Sequence, residues 1–82
     1  MPLHIHPIRY WCTLLSQELL KKRRYGRLQK VLGDYSLLAG SPGDAMDHYQ
    51  TAVDLGRASS DFIWAGASLE GLAHARVRKR YR

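Results

Sequence analysis

One segment of this chain places small, aromatic and leucine residues at the spacing of a paired-helix repeat. The positions are Leu32, Gly33, Gly40, Ala45, Tyr49, Ala52 and Leu55. This spacing is typical of a tetratricopeptide-type hairpin, in which two antiparallel helices pack through small residues. Such hairpins stack on their neighbours and form extended surfaces that hold other molecules. The segment therefore predicts an interaction scaffold and argues against an enzyme.

The hairpin needs small residues where its two helices cross, because only small side chains let the backbones come close. Gly33, Ala45 and Ala52 stand at those positions, and Gly40 supplies a left-handed stop for the first helix of the pair. Ala67 stands one repeat period of about 34 residues after Gly33. We predict one set of repeat-packing residues: Leu32, Gly33, Gly40, Ala45, Tyr49, Ala52 and Ala67. A generic helical bundle, with glycine at its turns and alanine at its crossings, is the alternative.

Apolar residues recur at helical spacing along the chain, and no alternating segment predicts a strand. The sequence therefore predicts an all-α fold of about four antiparallel helices. The first helix is expected from Pro7 to about Arg24. Gly26 predicts a break, before a second helix from about Arg27 to Ala39. The apolar face of the first helix is Ile8, Trp11, Cys12, Leu15 and Leu19.

The sequence Ser41-Pro42-Gly43-Asp44 predicts the start of a third helix, with serine as the cap and proline in the first turn. This helix is expected to end near Gly56, and Ser59 or Ser60 to cap a fourth helix. The predicted apolar face of the fourth helix is Phe62, Gly66, Leu69, Leu72, Ala73 and Val77. The predicted units are an N-terminal amphipathic helix with a basic end (1–24), the tetratricopeptide-like hairpin (25–57), the first helix of a following repeat (58–75) and a basic tail (76–82).

The formal net charge of the chain is +6, and it is unevenly distributed. Counting Lys and Arg against Asp and Glu, residues 1–30 carry +6, residues 31–60 carry −3 and residues 61–82 carry +3. The flanks supply candidate anion-binding residues: Lys21, Lys22, Arg23, Arg24, Arg78, Lys79 and Arg80. They predict, as the alternative to a scaffold, a small basic helical protein that binds nucleic acid or an anionic membrane. A solvated helix end and a basic terminus without a ligand explain the same residues.

Few residues of this chain suggest catalysis or metal binding. His4 and His6 lack further ligands at the spacing of a metal site. Cys12 lies on the apolar face of the first helix, where we expect a buried small side chain and not a nucleophile. The sequence has no phosphate-cradling loop and no Ser/His/Asp set. We therefore expect no enzymatic activity, no cofactor, no metal and no small-molecule substrate.

The start of the fourth helix supplies candidate partner-binding residues: Phe62, Trp64 and Leu69. They are expected to lie in the core or between repeats, and an uncovered apolar patch here predicts a partner or self-association. Repeat arrays usually need about three units to be stable, and about one and a half are visible in this sequence. We therefore expect the chain to be a piece of a longer solenoid, or to dock onto one.

Three parts of the sequence resemble one specific family. They are GRLQKVLGDYSLLAG at residues 26–40, DAMDHY with AVDL within residues 44–55, and DFIWAGASLEGL at residues 61–72. The likeness covers about residues 22–73. It is to the large TRAPP II vesicle-tethering subunit, the family of trafficking protein particle complex subunit nine.

This resemblance implies a helical-solenoid segment of a Golgi tethering complex. The complex promotes nucleotide exchange on Rab-type GTPases through other, smaller subunits, so no catalytic residue carries over to this chain. The implied partners are other tethering-complex subunits or neighbouring repeats. A single cysteine and the lack of an apolar run of about 20 residues favour the cytoplasm, and the resemblance favours a peripheral location at the Golgi.

Overall fold

The computed structural model describes residues 7–81, and the side chains of residues 12–81. These residues form three α-helices and no strand: α1 (Pro7–Leu38), α2 (Pro42–Ala58) and α3 (Phe62–Arg80). The predicted all-α class is confirmed for this part of the chain. The loops 39–41 and 59–61 are short, so consecutive helices lie side by side and run in opposite directions.

The predicted break at Gly26 is absent, because α1 continues through it from Pro7 to Leu38. The described residues therefore form three helices where we expected four, and the predicted boundary between residues 24 and 25 lies inside α1. One glycine costs a helix only about 1 kcal/mol relative to alanine. Gly26 instead lies where α1 packs closely on α2, since a Cβ at this position would lie 3.1 Å from the Cβ of Leu55.

The turn between α1 and α2 confirms the predicted stop at Gly40, whose φ is 80°. The amide of Gly40 donates to the carbonyl of Leu37 (3.1 Å), and the amide of Ser41 donates to that of Ser36 (2.9 Å). These two bonds form a Schellman motif, which satisfies carbonyls at the end of α1. Ser41 is the N-cap residue of α2 but makes no side-chain capping bond. Its hydroxyl donates to the Asp44 carboxylate at 2.6 Å instead.

The second turn repeats this motif with serine in place of glycine. Ser60 has a φ of 57°, and the Asp61 amide donates to the Gly56 carbonyl at 2.8 Å. Helix α2 therefore runs to Ala58, beyond the predicted end at Gly56. Asp61 is the N-cap residue of α3, so the predicted cap at Ser59 or Ser60 is wrong by one or two residues.

Helix α3 buries a face that shares only Leu72 with the one we predicted. Its buried residues are Ala65, Ser68, Leu72 and Ala75, whereas Phe62 and Val77 of the predicted face are exposed. The helix carries two apolar stripes at helical spacing, and packing against α2 selects the stripe of smaller residues. A Cβ at Gly56 would lie 2.9 Å from the Cβ of Ala65, so the two backbones approach too closely for bulky side chains.

The first part of α1 extends past the end of α2. Arg23 Nε donates to the carbonyl of Ser59, the residue after α2, at 2.9 Å. Between Cys12 and Lys22 every side chain is exposed except the half-exposed Leu14. Cys12 is thus exposed, and the predicted burial of its thiol is wrong, because neither α2 nor α3 covers this part of α1. No helix within residues 7–81 is long and apolar enough to span a bilayer.

Candidate interaction surface

The phenol ring of Tyr49 lies at the centre of the bundle. Tyr49 is only 1% exposed, and it forms the core together with Ala45, Leu72 and Ala75. Its hydroxyl donates to the Asp34 carboxylate at 2.5 Å, and Lys30 Nζ contacts the same carboxylate at 2.7 Å. Burial and the neighbouring carboxylate raise the pKa of Tyr49, so the phenol stays protonated and remains a donor.

Two glycines hold this ring from opposite helices. A Cβ at Gly33 on α1 would lie 2.7 Å from the Tyr49 ring, and a Cβ at Gly71 on α3 would lie 2.5 Å from it. Real Cβ atoms do not come so close to a ring carbon, so glycine is needed at both positions. We call Gly33, Tyr49 and Gly71 the ring clamp. It joins all three helices through one side chain.

The other predicted packing residues occupy several environments. Ala45 and Ala52 of α2 are buried, and Leu32 and Ala67 are half-buried. Ala67 lines a shallow depression with Lys30, Ile63 and Trp64, away from the ring clamp. We missed Gly71, which contacts Tyr49. Its role depends on a ring from another helix, so the sequence around Gly71 gives no sign that separates it from Gly66, which has no atom near its Cβ position.

A polar junction joins α1 to the start of α3. Arg27 donates to both carboxylate oxygens of Asp61, from Nε at 2.9 Å and from Nη2 at 3.2 Å. The same guanidinium lies 5.0 Å from the centroid of the Trp64 ring, within the range of a cation–π contact. Trp64 is therefore half-buried under Arg27. We did not predict this junction.

The hydrogen bond from Arg27 lowers the pKa of Asp61, despite an opposing effect of burial. In the unfolded chain an aspartate titrates near pH 3.9. Between the folded-state pKa and about pH 4, the Asp61 carboxylate therefore stays charged in the folded chain but binds a proton in the unfolded chain. The stabilisation is complete above about pH 4 and is lost as the pH falls through the folded-state pKa of Asp61.

We expect Asp61→Asn to lower the melting temperature at pH 7, and this deficit to shrink at pH 3. Asparagine cannot form the ion pair, and at low pH the native aspartate also loses it. Thermal unfolding followed by circular dichroism measures both values. Asp47→Asn is the control, because Asp47 is exposed and forms no ion pair among residues 7–81. A deficit that is equal at both pH values would contradict the role of the charge.

The outward side of α3 carries an uncovered apolar stripe. We call it the outer stripe, and its members are Phe62, Gly66, Leu69, Ala73 and Val77. Phe62 is 67% exposed, Leu69 is 42% exposed and Val77 is 55% exposed. Two of the predicted partner-binding residues, Phe62 and Leu69, thus lie on one accessible surface. The third, Trp64, faces Arg27 instead.

The predicted anion-binding residues lie in two separate groups. In the first group Lys21 is 3.6 Å from Glu18, Arg23 is bonded to the turn after α2, and Lys22 and Arg24 are exposed. The second group lies in the last turn of α3 and comprises Arg78, Lys79 and Arg80. Arg78 donates to the Leu37 carbonyl at 3.3 Å, and none of the three joins an ion pair within residues 7–81.

Within residues 7–81 no group of three or more His, Cys, Asp or Glu side chains is placed to hold a metal ion. His4 and His6, which we did not expect to hold a metal, lie outside the described residues. The surface features of this part of the chain are therefore the outer stripe of α3, the two basic groups and the exposed beginning of α1.

Comparison with known proteins identifies the family. Residues 13–79 match the model of the Trs120/TRAPPC9 N-terminal domain, so the chain belongs to this family. The chain is 52% identical over 67 residues to a trafficking protein particle complex II-specific subunit 120 homolog of Arabidopsis thaliana, covering 79% of this chain and 6% of that protein. It is similar to trafficking protein particle complex subunit 9 of Xenopus laevis, at 52% identity over 61 residues, 74% of this chain and 5% of the relative.

The chain is also similar to the human trafficking protein particle complex subunit 9, at 48% identity over 61 residues, which cover 74% of this chain and 5% of the relative. The chain thus spans about one twentieth of the length of these relatives. No solved structure matches the chain significantly.

Proposed function

We propose that this chain is a protein-binding scaffold segment that acts with a TRAPP II-type complex in vesicle tethering at the Golgi. The observation that carries the proposal is the family match over residues 13–79, together with relatives that are subunits of trafficking protein particle complexes. The proposed partners are other subunits of such a complex, and the proposed location is the cytoplasmic face of the Golgi.

The proposed architecture is a tetratricopeptide-like hairpin made of the second half of α1 and all of α2, with α3 as the first helix of a following repeat. Contacts between small residues and an aromatic ring support this arrangement, because Gly33 on α1 packs directly on Tyr49 of α2. In such arrays each helix pair packs only on its neighbours and leaves outer faces free for other proteins. A scaffold of this kind needs no catalytic group of its own.

Affinity capture tests the proposal. The tagged chain is incubated with a Golgi-enriched extract of Arabidopsis thaliana, the source of a relative with 52% identity. We expect mass spectrometry to recover other TRAPP II subunits. The matched control is Tyr49→Ala, which removes the centre of the bundle and should recover less of them. Failure of the native chain to recover any TRAPP subunit would contradict the proposal.

A second function is supported by the exposed beginning of α1. Leu15, Leu19 and Leu20 are exposed there, directly before the basic run from Lys21 to Arg24. Exposed leucines beside cations are typical of helices that lie on anionic membranes, whereas nucleic-acid binding needs no such apolar group. This segment would therefore hold the chain on an acidic lipid surface.

We expect the chain to sediment with vesicles that contain anionic lipid, and binding to weaken as salt increases. Each basic residue near an anionic surface contributes about 1 kcal/mol, so Lys21→Glu/Lys22→Glu should lower the partition coefficient at least about tenfold. The control is Asp47→Asn, which does not alter this segment. Equal binding to neutral vesicles, or binding to RNA but to no vesicle, would contradict the membrane role.

A further inference from the structure

The turn between α2 and α3 presents a serine hydroxyl that the fold does not use. Ser60 is exposed and adopts a left-handed conformation with a φ of 57°. Gly40 occupies the matching position of the first turn, and glycine adopts this conformation without strain, whereas serine does not. The Ser60 hydroxyl makes no hydrogen bond within residues 7–81. The packing of the bundle therefore gives no reason for a serine at this position.

The other serine of this turn has a structural role. Ser59 is 0% exposed, and its hydroxyl donates to the carbonyl of Leu55 at 2.8 Å. Its oxygen is therefore buried and already bonded. Of the two serines, only Ser60 offers a free hydroxyl to an enzyme in solution.

Two arginines of α1 extend to this turn. Arg23 Nε donates to the Ser59 carbonyl at 2.9 Å, and the geometry of the peptide unit keeps the Cα of Ser60 within about 6 Å of that nitrogen. Arg27 Nε donates to the Asp61 carboxylate, also at 2.9 Å. The hydrogen bond from Arg27 and then the charge of Arg23 lower the pKa of Asp61, so both guanidinium groups act on the turn.

The charges around the turn favour a dianion. Arg27 neutralises Asp61, whereas Arg23 has a neutral carbonyl as its partner there. Arg57, in the last turn of α2, adds another positive charge and joins no ion pair within residues 7–81. A phosphoserine carries about −1.5 to −2 charges at pH 7 and is stabilised beside clustered arginines. A phosphate on Ser60 would therefore balance the positive charge of the turn.

The residues before Ser60 supply a recognition signal for a protein kinase. Arg57 stands three residues before Ser60, and it is exposed. Protein kinases select their substrates by the charges near the acceptor residue. Kinases that bind an arginine at the third preceding position form one such class, which we call arginine-directed.

We propose that Ser60 is a phosphorylation site for an arginine-directed serine kinase, and that Arg23 of α1 binds the phosphate. The kinase transfers the γ-phosphoryl group of MgATP to Ser60 Oγ. The Oγ–P bond forms, the bond from the γ-phosphorus to the β–γ bridging oxygen breaks, the hydroxyl proton passes to a base of the kinase, and ADP leaves. Arginine and phosphate form paired, charge-assisted hydrogen bonds, so the modification ties α1 more tightly to the turn. The proposal goes beyond the scaffold function, because the site is recognised by a kinase and not by a TRAPP subunit.

Phosphate incorporation tests the acceptor. The full chain is incubated with a calcium/calmodulin-dependent protein kinase, an arginine-directed enzyme, and radiolabelled MgATP. We expect mass spectrometry to locate the phosphate on Ser60. Ser60→Gly should abolish the labelling and keep the fold, because glycine suits a φ of 57°. Arg57→Gln should slow the labelling at least about tenfold, since it removes the charge that the kinase binds, and Arg24→Gln should leave the rate unchanged.

A phosphorus NMR titration of the phosphorylated chain tests the contact with Arg23. The second pKa of a phosphoserine is ordinarily about 6. We expect a lower pKa in the folded chain, because the charge of Arg23 favours the dianion. Arg23→Gln should return the pKa towards about 6. Arg24→Gln is the matched control, since Arg24 is exposed and has no bond to the turn, and it should change the pKa less.

Thermal unfolding gives a second measure of the same contact. Phosphorylation should raise the melting temperature by about 5 °C at pH 7. The gain should shrink at pH 5, because the phosphate there loses its second charge. The other charged groups at the turn are Arg23, Arg27, Arg57 and Asp61, and none of them titrates between these two pH values.

Two kinds of result would overturn the proposal. One is labelling of Ser60→Gly at the native rate, or no labelling of the native chain. The other is a phosphate pKa that Arg23→Gln and Arg24→Gln change equally. Circular dichroism verifies that each variant is folded. The scaffold function is judged separately, by the capture of TRAPP II subunits on the unmodified chain.

Discussion

Gly71→Ala is expected to destabilise the bundle by about 2 kcal/mol, the cost of overpacking a core by one methyl group less the helix propensity gained. The new Cβ would lie 2.5 Å from the Tyr49 ring, which is only 1% exposed and also lies close to Gly33, so it has little room to move. Gly33→Ala should destabilise the bundle nearly as much for the same reason, because its Cβ would lie 2.7 Å from the Tyr49 ring. For a domain of this size the melting temperature should fall by about 10 °C.

Gly66→Ala is the matched control, since this glycine also lies inside α3 but has no atom near its Cβ position. There the gain in helix propensity is unopposed, and stability should rise by about 0.5–1 kcal/mol. Chemical denaturation of the three variants measures these differences. If Gly71→Ala and Gly66→Ala changed the free energy of unfolding in the same direction, the ring clamp would be refuted.

A double-mutant cycle isolates the contact itself. In a Tyr49→Leu background the ring is gone, and Gly71→Ala should then cost little or become stabilising. Residues in contact typically show coupling of about 0.5–3 kcal/mol. A Gly71→Ala cost that is unchanged in this background would mean that the penalty comes from elsewhere in α3.

Tyr49→Ala is expected to have the largest effect of any substitution in this chain. Removing a large buried aromatic side chain costs about 3–5 kcal/mol, because a cavity remains where the ring contacted three helices. A chain of 82 residues has a total stability of about 4–12 kcal/mol, so this one change removes a large part of it. The variant should be largely unfolded at 37 °C, as judged by loss of the helical circular dichroism signal.

Tyr49→Phe separates the ring from its hydroxyl. The ring still fills the clamp, and only the hydrogen bond to the Asp34 carboxylate is lost, at a cost of about 1.5 kcal/mol. Asp34 keeps its contact with Lys30 and is half-exposed, so water can replace the phenol. If Tyr49→Phe were as destabilising as Tyr49→Ala, the hydroxyl and not the ring would hold the helices together.

The features that follow from local chemistry could be predicted from the sequence. Gly40 ends α1 and Pro42 begins α2 because each acts through the conformation of its own backbone. Gly26 was misinterpreted as a break, because its role depends on Leu55, which lies across the helix pair. A glycine at a crossing and a glycine at a break look identical in one sequence.

The face of α3 could not be predicted, because two stripes of apolar residues follow the same helical spacing. Contacts with α2 decide which stripe is buried, among them the close approach of Gly56 to Ala65 and of Gly71 to the Tyr49 ring. The pairing of Arg27 with Asp61 was missed for a related reason, since 34 residues separate them and no local pattern links them. The candidate site changed accordingly: Phe62 and Leu69 are on its surface, and Trp64 is not.

The central structural claim is that Tyr49 joins all three helices and thereby holds α3 with its outer stripe facing outward. Nuclear Overhauser spectroscopy of the isotope-labelled chain tests this most directly, because it reports which protons lie close to the Tyr49 ring. We expect cross-peaks from the ring protons to the α-protons of both Gly33 and Gly71. Cross-peaks to Gly33 without any to Gly71 would show that α3 is not held by the ring, and would contradict the account.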